Sequence, residues 1–143
     1  MTVAAILADK GRRVVTTIGG ASVSEAADVL AKNKIGALVV VDDVGRITGI
    51  VSERDIVRTI AGGGADALTG PIGSIMSRSV VTCTESETIN DVMTRMTRGR
   101  FRHLPVTNSD RLVGIISIGD VVKMRIEQVE REAEEMRAYI ATA

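Results

Sequence analysis

Gly114-Ile115-Ile116-Ser117-Ile118-Gly119-Asp120 runs from apolar β-formers into a short Ser/Gly/Asp turn, and a long charged helical pattern comes after it. The segment therefore reads as strand, turn and helix start. The same order of residue types occurs earlier, as Gly49-Ile50-Val51-Ser52-Glu53-Arg54-Asp55, with Ile56, Val57 and Ile60 at helical positions after it. Two copies of one phrase in a chain of 143 residues indicate a repeat.

Working outward from both copies extends the repeat. Before each lies a polar turn with hairpin chemistry, Asp42-Asp43-Val44-Gly45-Arg46 in one half and Asn108-Ser109-Asp110-Arg111 in the other. Before the turns come apolar strand signals, Ile35 to Val41 and Phe101-Arg102-His103-Leu104-Pro105-Val106. Each strand follows an amphipathic helix. Ser22-Val23-Ser24-Glu25 has the form of a capping box and precedes Ala26, Ala27 and Leu30; its counterpart Thr88-Ile89-Asn90-Asp91 precedes Val92, Met93 and Met96. Farther upstream, Val14-Val15-Thr16 and Val80-Val81-Thr82 are matching β-branched strand signals. The first turn is one residue longer than the second, a slip that loops tolerate. Val3 to Ala8 predicts a short helix ending at Gly11, and Ala61-Gly62-Gly63-Gly64-Ala65 reads as a flexible connector. No Gly-Lys-Ser/Thr follows these glycines, so they are not a phosphate loop.

A long period repeated twice does not make a solenoid. It predicts an α/β (α+β) fold of two βαββα subdomains related by pseudo-twofold symmetry, with a long C-terminal helix. The corresponding division is 1–65, including the N-terminal helix, 66–126, and a helical extension over 127–143. Each half alone would leave one face of its small sheet bare, so the halves are expected to bury those faces against each other.

Composition removes several classes of function. Eighteen basic residues balance eighteen acidic ones, which is not the electrostatic footprint of a general nucleic-acid or anionic-membrane binder. Phe101 and Tyr139 are the only aromatics, so no base-stacking platform can be built. The apolar runs fall far short of a membrane span, and Met1 to Leu7 passes directly into Asp9-Lys10-Gly11-Arg12-Arg13 without the pattern of a signal peptide. A cytoplasmic protein is expected. The lone Cys83 excludes an intramolecular disulfide framework and a cysteine-rich zinc site, and reads as a small strand residue. With one histidine and no nucleophile-base pair or metal cluster in evidence, no catalysis is expected.

The capped helix, the strand carrying Arg102-His103-Leu104-Pro105-Val106, the polar turn and the Gly-x-x-Ser-x-x-Asp ending, in this order, resemble the cystathionine-β-synthase (CBS) domain family, with two motifs forming one Bateman module over roughly residues 1 to 126. The resemblance implies a cleft that binds an adenosyl ligand: AMP first, then ATP or ADP, NAD(H) or S-adenosylmethionine. It implies a sensing role for energy or redox state. It assigns Asp120 and Asp55 to the ribose hydroxyls, although Asp is also among the best helix-capping residues. Ser117 and Ser52 stand near the ribose or phosphate, or are ordinary turn serines. Phosphate is assigned to Arg102 and His103 and to the residue before the ribose Asp, which is Arg54 in one half and Gly119 in the other. Gly36-Ala37 replaces Arg102-His103 in the first half. The site with Asp120 would gather Arg54, Arg102 and His103, and is expected to be the tighter one. The adenine would lie among Val81, Thr82, Val106, Ile115 and Ile116, with Thr16 as the first-half counterpart of Thr82; all are also plausible core residues, Ile115 most of all.

From Val122, apolar residues recur at Ile126, Val129, Ala133, Met136 and Ile140 in alternating steps of four and three. This heptad-like seam, flanked by Arg and Glu, suits pairing of helices, and the family resemblance also implies a homodimer. A regulated protein partner is a further expectation. The rival readings are a purely structural or interaction module, and RNA or DNA binding through Arg95, Arg98, Arg100, Arg102 and Arg111.

Overall fold

The computed structural model describes residues 1–142. The elements in chain order are α1 (Val3–Lys10), β1 (Thr16–Ile18), α2 (Val23–Asn33), β2 (Ala37–Val41), β3 (Ile47–Ser52), α3 (Glu53–Gly63), two short 3-10 turns (Gly64–Thr69 and Ile72–Ser74), α4 (Ile89–Gly99), β4 (His103–Asn108), β5 (Arg111–Ser117) and α5 (Ile118–Thr142). The mixed α+β repeat with its long last helix matches the class the sequence predicts.

Local signals decide where elements begin. Ser22 caps α2 and forms a full capping box with Glu25: the Ser22 hydroxyl accepts from the Glu25 N–H at 3.0 Å, and the Glu25 carboxylate accepts from the Ser22 N–H at 3.4 Å. Thr88 caps α4 through the Asp91 N–H at 3.1 Å. Both helices end on left-handed residues at matching places, Lys34 and Arg100. The hairpins also follow their turn chemistry. In the longer one, Asp42 Oδ1 accepts from the N–H groups of Val44 and Arg46, and Gly45 takes a positive φ. In the shorter one, the two-residue loop Ser109-Asp110 has φ of 50° and 64°, the signature of a type I′ turn, whose twist suits a hairpin.

The chain divides into two compact units that do not coincide with the two halves of the repeat. A central unit contains Val14–Val81 with Asp110–Leu112; a terminal unit contains Met1–Arg13, Thr82–Ser109 and the chain from Val113. Residues 1–13, placed with the first half by linear order, thus belong with the second. Backbone hydrogen bonds explain why. In the terminal unit Val3 N–H donates to Glu87 O, Ala4 N–H to Glu85 O and Ile89 N–H to Met1 O. In the central unit Ile72 N–H donates to Ala21 O, Gly73 N–H to Gly19 O and Val23 N–H to Gly70 O. Glu87 and Ala21 are repeat equivalents, as are Glu85 and Gly19, and Ile89 and Val23. The segment Thr2 to Leu7 therefore does for the second motif what Pro71 to Met76 does for the first. Each motif is completed by the stretch that precedes the other.

In the central unit β1 runs parallel to β2, with Thr16 opposite Val39, and β2 runs antiparallel to β3, with Ala37 opposite Ser52. Val23, Leu38, Val51 and Ile72 fill its core. The terminal unit holds the pair β4–β5 over a core that includes Leu7, Met96, Leu104 and Ile116. Its expected strand at Val80–Thr82 is reduced to one parallel bridge, in which Cys83 N–H donates to Pro105 O and Thr107 N–H donates to Cys83 O. The next rung upstream would need a donor from residue 105, and proline has none. The triple-glycine connector also differs from expectation. Helix α3 runs through Gly62 and Gly63, a 3-10 turn begins at once, and the segment is held by Leu68 packed on the central core and by the fully buried Ile72.

Candidate functional site

Both Gly-x-x-Ser-x-x-Asp phrases fold into the same device. The serine, not the aspartate, precedes the helix, and the aspartate is the third helical residue, turned back onto the serine. At α3, Asp55 Oδ2 accepts from the Ser52 N–H at 2.8 Å and the Ser52 hydroxyl at 3.0 Å, while Ser52 Oγ accepts from the Asp55 N–H at 3.3 Å. At α5, Asp120 Oδ2 accepts from the Ser117 N–H at 2.8 Å and Ser117 Oγ accepts from the Asp120 N–H at 3.2 Å. The box fixes a half-buried carboxylate where a strand ends and a helix begins.

The position before the strand is fixed in the same way twice. Glu53 N–H donates to Gly36 O at 2.9 Å, and Ile118 N–H donates to Arg102 O at 2.8 Å. Arg102 thus stands at the first turn of α5, with its side chain exposed and His103 half-buried beside it. In the central unit Gly36 occupies the equivalent place and supplies no charge.

The glycine that opens each phrase is set by packing. A Cβ on Gly114 would lie 2.7 Å from Leu7 Cδ2, and one on Gly49 would lie 2.5 Å from Met76 Sδ and 2.9 Å from the Ser77 carbonyl oxygen. Leu7 and Met76 belong to the equivalent segments that complete each motif. The glycines let those segments close over the strand that ends in the serine.

The two carboxylates differ in their company. Lys10, at the end of α1, places Nζ 2.8 Å from Asp120 Oδ2 and 3.0 Å from the Ile115 carbonyl oxygen. Burial pushes the Asp120 carboxyl up, but the Lys10 hydrogen bond and charge together with the Ser117 contacts outweigh it and hold the group below its ordinary value. A cleft of about 250 Å³ opens here, lined by Ile6, Asp9, Lys10, Asp120, Lys123 and Met124, with Lys123 Nζ 3.5 Å from Asp9. Among the described residues no ion pair reaches Asp55. The count that aligns Val3 with Ile72 and Leu7 with Met76 aligns Lys10 with Ser79. Sequence reading missed Lys10, which lies 110 residues from its partner.

The remaining expected residues fall into two groups. In the terminal unit, Val106 and Ile116 are fully buried in the core, whereas Ile115 and Thr82 are half-buried. Ile115, taken as the safest core residue, and Ile116 have exchanged roles, because β5 alternates and Ile116 is on the inner face. In the central unit, Thr16, Val81 and Arg54 are exposed. A groove of about 450 Å³ between α2 and α3 is lined by Leu30, Ile35, Gly36, Glu53, Ile56 and Val57, an apolar surface away from the Asp55 carboxylate. Cys83 is buried, and burial first, then the nearby Glu87 charge, push its thiol up to about 12, so it is unreactive at neutral pH. Arg95 is committed to an ion pair with Glu87 and to the Thr82 carbonyl at 2.7 Å, which takes it out of the arginine cluster.

The CBS domain model matches this sequence twice, at residues 9–62 and 72–127. The chain belongs to the CBS-domain family. Among solved CBS structures, a CBS-domain-containing protein of Agrobacterium tumefaciens is 48% identical, with TM-score 0.85 over 87% of this chain and 92% of that one. The CBS domain pair of protein MJ0100, in complex with 5′-methylthioadenosine and S-adenosyl-L-methionine, is 29% identical, with TM-score 0.79 over 90% of this chain and 98% of that one. A CBS domain protein of Pyrobaculum aerophilum complexed with AMP is 31% identical, with TM-score 0.75 over 84% of this chain and 89% of that one. Two curated relatives, 33% and 32% identical, are longer: the chain spans 72% and 60% of their lengths. No helix among the described residues is long and apolar enough to cross a membrane.

Proposed function

We propose that this CBS pair is a regulatory module without catalysis of its own, which binds an adenine nucleotide and reports energy or redox state through that binding. The observation that carries the reading is the strand-end box of Ser117 and Asp120 with Lys10 on its carboxylate. A fixed carboxylate accepts from both hydroxyls of a ribose, and charge-assisted bonds of this kind are stronger than neutral ones. The cations of the same unit, Lys10, Arg102 and Lys123 with His103 beside them, suit a phosphate. Ile115 and Thr82 offer half-buried surface to a purine, and the fully buried Val106 and Ile116 support that surface from behind. Relatives crystallised with AMP and with S-adenosylmethionine support the ligand class, with AMP preferred because Lys10, Arg102 and Lys123 offer cations to its phosphate. The Ser52–Asp55 box is the weaker site, with no counterpart of Lys10 on its carboxylate.

Ligand biases a conformational equilibrium only through unequal affinity for the states, so the output is a change of shape or of affinity for a regulated protein. The test is calorimetric titration of the wild type and Asp120→Ala with AMP, ATP, NADH and S-adenosylmethionine. Binding of at least one ligand, weakened by the substitution, is expected; no binding of any to the wild type overturns the reading. Nucleic-acid binding through the arginines would instead show steep salt dependence without nucleotide competition.

A further inference from the structure

The two boxes give their carboxylates different donors. Asp55 Oδ2 accepts from the Ser52 N–H at 2.8 Å and from the Ser52 hydroxyl at 3.0 Å, so both donors belong to one neutral residue. Asp120 Oδ2 accepts from the Ser117 N–H at 2.8 Å and from the Lys10 ammonium, also at 2.8 Å. A carboxylate oxygen has two lone pairs, and these contacts engage both on each Oδ2. A ribose that donates from both hydroxyls calls on both oxygens of one carboxylate, so a donor already on Oδ2 must give way. The backbone N–H is fixed by the box. At Asp55 the donor that yields is a hydroxyl rotor, which turns aside and leaves no charge behind. At Asp120 it is an ammonium.

Lys10 does not yield freely. Its side chain is 32% exposed and that of Asp120 25%, so water screens the pair only in part. Away from Asp120, the cleft offers the ammonium two acceptors: the Ile115 carbonyl oxygen, already in contact at 3.0 Å, and the Asp9 carboxylate, which Lys123 approaches at 3.5 Å. A ligand that carries an anion on the same sugar supplies the missing partner. The flexible four-carbon stem then lets Lys10 pass from carboxylate to phosphate and stay paired. A ligand with a neutral 5′ group takes Asp120 and leaves a partly buried ammonium without its counter-ion. Leaving a charge unpaired with the wrong ligand is a means of selection distinct from attracting the right one.

We propose that Lys10 gates the Asp120 box, which admits a ribose bearing an anionic 5′ group and turns away the same ribose with a neutral one. The proposal rests on the ligand reading above and adds the origin of its specificity. The Asp55 box lacks the gate and accepts either class. The test is calorimetry with AMP, adenosine and 5′-methylthioadenosine on Asp55→Ala, which isolates the Asp120 box, and on Asp55→Ala with Lys10→Met, with circular dichroism as the check on folding. Removing Lys10 is expected to weaken AMP about 10-fold and to tighten adenosine and 5′-methylthioadenosine about 3-fold, so that the preference for AMP over adenosine falls about 30-fold. A salt series gives a second readout that needs no change at Lys10. Between about 50 and 500 mM KCl, adenosine should bind Asp55→Ala more tightly as the ion pair is screened, while AMP binds less tightly. With Lys10→Met added, adenosine should no longer respond to salt. Adenosine unchanged or weakened by Lys10→Met, or weakened by salt in parallel with AMP, overturns the gate and leaves the ligand reading standing. Failure of all three ligands to bind either variant or the wild type overturns the ligand reading itself.

Discussion

The Asp55 box and the Asp120 box share their hydrogen-bond pattern, the strand that delivers the serine and the carbonyl that receives the first helical N–H, yet they differ in charge. Lys10 sits on Asp120, and no ion pair among the described residues reaches Asp55. The difference enters through the segments that complete each motif. Thr2 to Lys10 is a two-turn helix long enough to carry its lysine to the carboxylate, while Pro71 to Met76 contains a single 3-10 turn, after which Ser77 pairs with Ile50. A repeated frame thus gives its two carboxylates unlike surroundings, through the stretch that closes over each and through Arg102 standing where the other motif has Gly36.

The largest effects should come from disturbing that closure. Gly49→Ala and Gly114→Ala each force a methyl into occupied space, at about 1–3 kcal/mol. Gly49→Ala should cost more, because it meets the Ser77 backbone as well as a side chain, whereas Gly114→Ala meets only the end of Leu7. Urea titration measures both, and Leu7→Val should recover part of the Gly114→Ala loss in the double variant. Equal losses, or no rescue, would show that the segments close over the two strands in some other way.

Lys10 sharpens the comparison next. Lys10→Met should weaken AMP binding about 10-fold, because a cation adjoining the phosphate is lost. Adenosine, which has no phosphate, should bind as well or better once the competitor for Asp120 is gone. Equal weakening of both ligands by calorimetry would make Lys10 a structural residue only. Ser79→Lys tests the converse, and should bring the Asp55 site closer to the other for AMP.

The smallest effect is the pH dependence. Because the folded Asp120 carboxyl lies below its unfolded value of about 3.9, its contribution is present above that pH and is lost as pH falls through the lower folded value. Asp120→Asn should therefore be less stable than the wild type near neutrality, by up to about 1 kcal/mol, and the two should converge in acid. Parallel denaturation curves at every pH would show that the Lys10 contact adds nothing to stability.

Caps, turns and the repeat itself were legible because each is written within a few residues: Ser22 with Glu25, Thr88 with Asp91, the turn at Ser109-Asp110. Long-range partners were not. Nothing near Lys10 announces Asp120, and the match of Thr2–Leu7 to Pro71–Met76 has a different offset from the rest of the repeat and only a few apolar residues to carry it. Gly49 and Gly114 were available as a signal, since a glycine inside an apolar strand marks a close approach. Pro105 likewise shows, once the register is known, why Val80–Thr82 pairs so little. The triple glycine misled because helix propensity is a weak prior: about 1 kcal/mol per glycine is outweighed when Leu68 and Ile72 anchor the two 3-10 turns downstream.

The most direct measurement is the calorimetric Kd of AMP for Asp120→Ala set beside that for Asp55→Ala. The tighter binding step should weaken about 30-fold or more in Asp120→Ala and stay within about 3-fold in Asp55→Ala. The reverse order, with Asp55→Ala abolishing the tight step, would contradict the assignment of the stronger site to the carboxylate that Lys10 holds.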